Sequence, residues 1–232
     1  MPNNERGSDE RDLSIELGND TTDYDFSEEE VENAENILPI NRQYQGALAV
    51  GKRGNDAFHR QDFGNAIEDY KKSCVTLVRL KREISDAGAP RNPRIDIQLS
   101  ACIFTVLLNR AASFLDFWSY DEEHGPLSRF KEAIKYAKYA CDLVEDCQRR
   151  HGPNCRPSNK DRARWHRIVA AACQGLGLVN ETYVHAEKVL LFTPNDQNCL
   201  EYVSAHRRNW EGANLDLLSH KLQCLSMLRE KN

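Results

Sequence analysis

At 232 residues, with 40% hydrophobic and 29% charged side chains and a formal net charge of −5, the chain is long enough to bury a sizeable core in a domain of ordinary size. No apolar run reaches the roughly 18 to 20 residues of a bilayer crossing, and the opening "MPNNERGSDERDL" is polar and acidic where a signal peptide is basic and then apolar. These features predict a soluble protein of the cytoplasm or nucleus with no membrane contact. The eight cysteines fall mostly inside apolar helical patterns, as reduced core thiols do, and not in the spacing of a secreted disulfide framework.

Charge is unevenly spread along the chain. Residues 1–37 hold thirteen Asp and Glu against two Arg, a net −11, so the remainder, with 29 basic and 23 acidic residues, stands at +6. A segment this acidic and this poor in apolar side chains cannot offset the entropy of ordering itself, which predicts disorder over most of 1–37. Within it, Ser27 and Glu30 make a capping-box pattern ahead of "EEEVENAENIL", a short helix that Pro39 is expected to close. Ser27 before three glutamates also has the pattern of an acidophilic kinase site. The segment is either a solubilising appendage or a ligand for the basic body.

From about Tyr44 the apolar residues recur every three or four positions without the alternation of a half-buried strand, which predicts an all-α body. Three segments repeat one pattern. Gly54 is followed twelve residues later by Ala66, with Phe63 and Tyr70 beside it. Ala111 is followed by "RFKEAIKYA", with Phe130, Ala133 and Ala137. Ala170 is followed twelve later by Thr182, with Val179 and Ala186, and Pro194 closes the unit. Each predicts a helical hairpin whose small residues admit close approach. Helix is expected to run on through "CVTLVRLKREI", break at "DAGAPRNP" and restart at "RIDIQLSACIFTVLLNRAASFL". Two loops are expected, a lengthened turn "WSYDEEHGPLS" and "CQRRHGPNCRPSNK".

The stretch "NDAFHRQDFGNAIEDY" resembles the first unit of a tetratricopeptide repeat (TPR) domain, with small residues at the repeat's eighth and twentieth positions and aromatics beside them. "HAEKVLLFTPND" matches the close of a third unit, and the resemblance covers about residues 44–194. The anchors Gly54, Ala111 and Ala170 lie 57 and 59 apart, where unbroken repeats place them roughly 34 apart, so insertions are required. The resemblance implies a right-handed superhelix of three hairpins with a C-terminal capping helix in 195–232, whose concave side binds extended peptides.

With "GN" in its first unit and "NRA" in its second, the chain also resembles the TPR domains of co-chaperones. Their carboxylate clamp of two lysines, two asparagines and an arginine grips the acidic "EEVD" tails of cytosolic heat-shock chaperones. The resemblance puts Asn55 and Asn109 on the two asparagines and Arg164 on the lysine that opens the third repeat. Gly51 stands where the first lysine belongs and Ile168 where the arginine belongs, with Lys52 and Arg167 as neighbours. One residue rotates a helical side chain by about 100°, so the clamp is incomplete, and the two asparagines are equally readable as repeat residues that bridge helices.

Other patterns carry less. Cys141, Cys147, His151 and Cys155 have a C-x5-C-x3-H-x3-C spacing without the paired knuckles of a zinc site, so no metal or cofactor is expected. His59, His166 and His185 have no nucleophile identifiably paired with them, which predicts a non-catalytic protein. The basic zone Arg149, Arg150, Arg156, Arg162, Arg164 and Arg167 lacks interleaved aromatics and suits an acidic protein partner better than nucleic acid. After Pro194, Asn195 or Asp196 is expected to cap a terminal helix whose Trp210, Leu215, Leu218, Leu222, Leu225 and Leu228 exceed what capping one hairpin needs. Two functional readings stay open: a TPR co-chaperone or adaptor for an acidic chaperone tail, and a TPR scaffold that uses its groove or C-terminal helix on another partner. The oligomeric state is left undecided.

Overall fold

The computed structural model describes residues 34–86 and 93–209, leaving aside the side chains of 34–39, of Asp86 and of Asn154. The expectations for the acidic segment up to residue 33, for Ser27 and for the leucines beyond Trp210 lie outside these residues. Every described regular element is helical: α1 (Ala34–His59), α2 (Phe63–Asp86), α3 (Pro93–Asp116), the short α4 (Trp118–His124), α5 (Ser128–His151), a 3-10 turn (Gly152–Cys155), α6 (Asn159–Gly175), α7 (Val179–Phe192), and α8 over residues 197–209.

Successive long helices pack on one another: α1 on α2, α2 on α3, α3 on α5, α5 on α6 and α6 on α7. The small residues that mark the repeat pattern lie at these contacts. Ala66, Ala111 and Ala133 are fully buried and Ala170 nearly so, and Ala133, Ala137 and Ala140 give α5 a stripe without bulk. At Gly54 the approach is closest, because a Cβ there would lie 2.8 Å from the buried Tyr70 ring. Larger side chains such as Leu77, Ile103, Leu108 and Ile168 fill the space between the helices.

Turn chemistry sets the hairpin ends. Helix α1 closes with the Asp62 amide bonding the Ala57 carbonyl at 2.9 Å and Gln61 bonding Phe58 at 2.8 Å, a Schellman arrangement that puts Gln61 in the left-handed region at φ 60°. Helix α6 closes in the same way, Leu178 to Cys173 and Gly177 to Gln174. There the left-handed position (φ 72°) is a glycine, which takes it without a Cβ penalty.

Four expectations are corrected. Pro39 does not close a helix but lies inside α1; so near the helix start, its missing N–H leaves only one early carbonyl without its intrahelical partner. The turn "WSYDEEHGPLS" contains α4, held because Asp121 accepts from the Arg129 amide at 2.9 Å and pairs with its side chain at 3.2 Å. The loop expected from Cys147 starts later, since α5 runs on to His151. Its last turn is anchored by Asp96 of α3, which holds Arg150 at 2.7 Å and His151 at 2.5 Å. Finally, α3 is long and apolar enough to cross a bilayer by length and composition, but 67% of its apolar window is buried within the molecule, where it serves as the core helix.

Candidate functional site

Helices α1, α3 and α6 make a row, with α1 touching α3 and α3 touching α6. Along α1 and α3 the contacts advance together, Tyr44 to Cys102 and Asn55 to Asn109, so the two helices run parallel. Three of the five residues singled out from sequence meet in this row. The Asn109 amide donates to Asn55 Oδ1 at 3.0 Å, and Arg164 Nη2 donates to Asn109 Oδ1 at 2.6 Å. A fourth member comes from α2: the Tyr70 hydroxyl donates to the same Asn55 oxygen at 2.8 Å. Burial raises the pKa of the Tyr70 phenol, so it stays a donor.

This chain of bonds is rich in donors. Asn55 spends its acceptor on two donors, Asn109 spends its own on Arg164, and Arg164 Nε is buried without a hydrogen-bond partner. Arg164 makes no ion pair with a described carboxylate, and burial lowers its pKa, as expected for a cation drawn out of water. A partly desolvated guanidinium beside spare amide hydrogens favours an anionic acceptor, above all a carboxylate.

The other two residues are placed differently. Arg167 is spent on Asp196, at 3.0 and 2.6 Å. Burial works against the Asp196 carboxylate, but the Cys199 amide and Arg167 outweigh it and hold its pKa below the usual range. Asp196 thereby caps α8 through the Cys199 amide at 3.0 Å, as expected from sequence. Lys52 is exposed and outside the bonded chain.

The two departures from the clamp pattern have a packing cause. A Cβ on Gly51 would stand 3.2 Å from Ser73 Oγ and 3.9 Å from a Val106 methyl, so that position faces α2 and α3. Ile168 is 1% exposed, within the main core. A lysine or arginine at either place would bury a charge without a partner.

The helix histidines have structural settings. His166 and His185 place their Nδ1 atoms 3.0 Å apart, and His166 stacks on Phe192. Burial, with the charges of His185, Lys188 and Arg162, pushes the His166 pKa down to about 3. The C-x5-C-x3-H-x3-C residues do not close on one point: the Cys141 thiol turns to Glu145 and His151 to Asp96, while Cys155 contacts the buried Cys147. Among the described residues no three His, Cys, Asp or Glu are grouped as metal ligands, and the described cysteines are free thiols.

Sequence reasoning missed Tyr70 as a member of the network, although its place fifteen residues after Asn55 was visible. It also missed the neutralisation of Arg167, because Asp196 lies 29 residues further on, across a hairpin. No family model and no curated protein matches this chain.

Proposed function

We propose that the chain is a non-catalytic adaptor of the TPR type whose row of first helices binds the carboxylates of an acidic peptide, in the manner of co-chaperones that grip chaperone C-terminal tails. The observation that carries this reading is the donor-rich chain Tyr70, Asn55, Asn109 and Arg164, drawn from four helices, with a guanidinium whose Nε is buried without a hydrogen-bond partner and which feels Asp161 only at a distance, making no ion pair with a described carboxylate. The hairpin order and the small residues at the helix contacts support the TPR arrangement, and the parallel α1 and α3 fit the concave side of such a superhelix. Arg164 and the Asn55 amide supply charge-assisted and neutral bonds to a terminal carboxylate, and exposed Lys52 adds long-range attraction.

With Gly51 and Ile168 in place of two cations, and Arg167 already paired, one guanidinium carries most of the electrostatic gain. Binding is therefore micromolar or weaker. The test is a calorimetric titration of an "EEVD"-ended peptide into wild type and an Asn55→Ala, Asn109→Ala variant, with circular dichroism to confirm the variant's fold. Affinity falls at least about tenfold in the variant, since two hydrogen-bonding groups at about 1 kcal/mol each are removed. Unchanged affinity removes the clamp reading and leaves the scaffold alternative, for which the 76% exposed Leu191 on α7 offers an apolar contact.

A further inference from the structure

A second feature lies beside the donor network and is independent of it. Between α3, the last turns of α5 and the start of α6 there is a cleft of about 500 Å³ with Phe104, Val144 and Trp165 among its lining residues, bordered by Arg156 and Arg162. A recess of about 120 Å³ continues it along α3 to Ile97. Arg156 is exposed and pairs with no described carboxylate. Arg162 lies over the Phe192 ring at 4.2 Å, likewise without an acid partner among the described residues. Two acids also line the cavities: Glu145 accepts from the Cys141 thiol at 3.6 Å, and Asp161 from the Ser158 hydroxyl at 2.6 Å. An occupant that is both aromatic and acidic therefore fits the arginine side of the larger cleft, away from Glu145, and not the recess that Asp161 lines.

We propose that this cleft takes the chain's own acidic N-terminal segment at "DYDFSEEE", Asp23 to Glu30, with Tyr24 and Phe26 on the apolar surface and the flanking carboxylates against Arg156 and Arg162. Three observations select this occupant. The segment 1–37 carries −11 against +6 for the rest of the chain. Its aromatic residues are Tyr24 and Phe26, each with an acid on one or both sides. The tether also reaches. Tyr44 of α1 meets Cys102 and Gln98 of α3, within about a turn of Ile97 and Phe104 in the cavity walls. From there α1 runs back to Ala34, about 15 Å at 1.5 Å per residue. Drawn out, the eight residues from Ala34 to Phe26 extend up to about 26 Å, so docking requires the stretch after Ser27 to be extended in place of the helix that its capping box favours.

Amide hydrogen exchange on the full chain, followed by mass spectrometry, tests this directly. Residues 22–30 exchange at least about tenfold more slowly than an unprotected chain in wild type. That protection disappears in Arg156→Glu, Arg162→Glu and in Tyr24→Ser, Phe26→Ser. It also falls at 1 M salt, where the Debye length is about 3 Å. A Glu145→Gln variant, which removes the acid on the far wall, slows exchange further. Absence of protection in wild type overturns the proposal, as does protection that survives in both double variants, which marks local helix alone. Protection that grows with protein concentration also overturns it, because the contact is then between copies. Should the arginine variant fail to fold, Tyr24→Ser, Phe26→Ser, which leaves the described helices untouched, decides alone.

Discussion

Replacing Gly54 with alanine sets two opposing effects against each other. In an exposed helix interior this substitution stabilises by about 0.5–1 kcal/mol, because alanine loses less backbone entropy on folding. At Gly54, however, the new Cβ would stand 2.8 and 2.9 Å from two carbons of the Tyr70 ring. Carbon atoms rest at about 3.5–4.0 Å, so the ring must retreat by roughly 0.7 Å or more. It has little room to do so, since Tyr70 is 0% exposed and its hydroxyl is tied to Asn55. Overpacking of this kind costs about 1–3 kcal/mol, and loss of the hydroxyl bond adds about 1 kcal/mol. The net effect of Gly54→Ala is a destabilisation of about 1–3 kcal/mol. Gly46 provides the control: it lies on the same helix with nothing within 4 Å of an added Cβ, and Gly46→Ala stabilises by about 0.5–1 kcal/mol. Urea unfolding at constant m-value measures both. A Gly54→Ala protein as stable as Gly46→Ala would refute the close α1–α2 contact.

Two further outcomes follow from the helix ends and the buried histidines. Gln61→Gly relieves a left-handed non-glycine residue at the close of α1 and stabilises by about 1 kcal/mol, read as a rise in the urea midpoint; no rise would contradict the Schellman geometry. His166 and His185 both have pKa values lowered by burial, His166 to about 3. The unfolded chain therefore binds protons that the folded one refuses, so their stabilisation is complete above the unfolded value of about 6.5 and is lost as pH falls toward 3. The carboxylates of Asp96 and Asp196, held below the ordinary range, add their loss only below about 4. Tm accordingly declines between pH 7 and 4.5, and less steeply in His185→Gln; a flat profile over that window would contradict the buried imidazole pair.

The helical body was legible because periodicity and small-residue spacing are local properties. Ala66, Ala111 and Ala133, chosen from spacing alone, are fully buried, and Asp196 caps α8. The differences arise where distant residues decide a local outcome. "WSYDEEH" is helical because Asp121 reaches Arg129, and α5 outlasts its expected end because Asp96, more than fifty residues earlier, holds Arg150 and His151. The candidate site was half legible for the same reason. Asn55, Asn109 and Arg164 were chosen by position in a repeat and are joined by hydrogen bonds. Arg167, chosen as a neighbour of the expected position, turns to Asp196 instead. Gly51 and Ile168 hold helix contacts that no reading of charge alone would have required.

The central claim, that the Asn55, Asn109 and Arg164 row recognises a peptide's terminal carboxylate, is tested most directly by titrating wild type with one "EEVD"-ended peptide in two forms, free acid and C-terminal amide. The account predicts binding of the free acid at micromolar or weaker affinity, at least about tenfold loss on amidation, and further weakening with added salt, because partly exposed charge-assisted bonds are screened over about 8 Å at physiological ionic strength. Absence of binding, or equal affinity for the two forms, would contradict it.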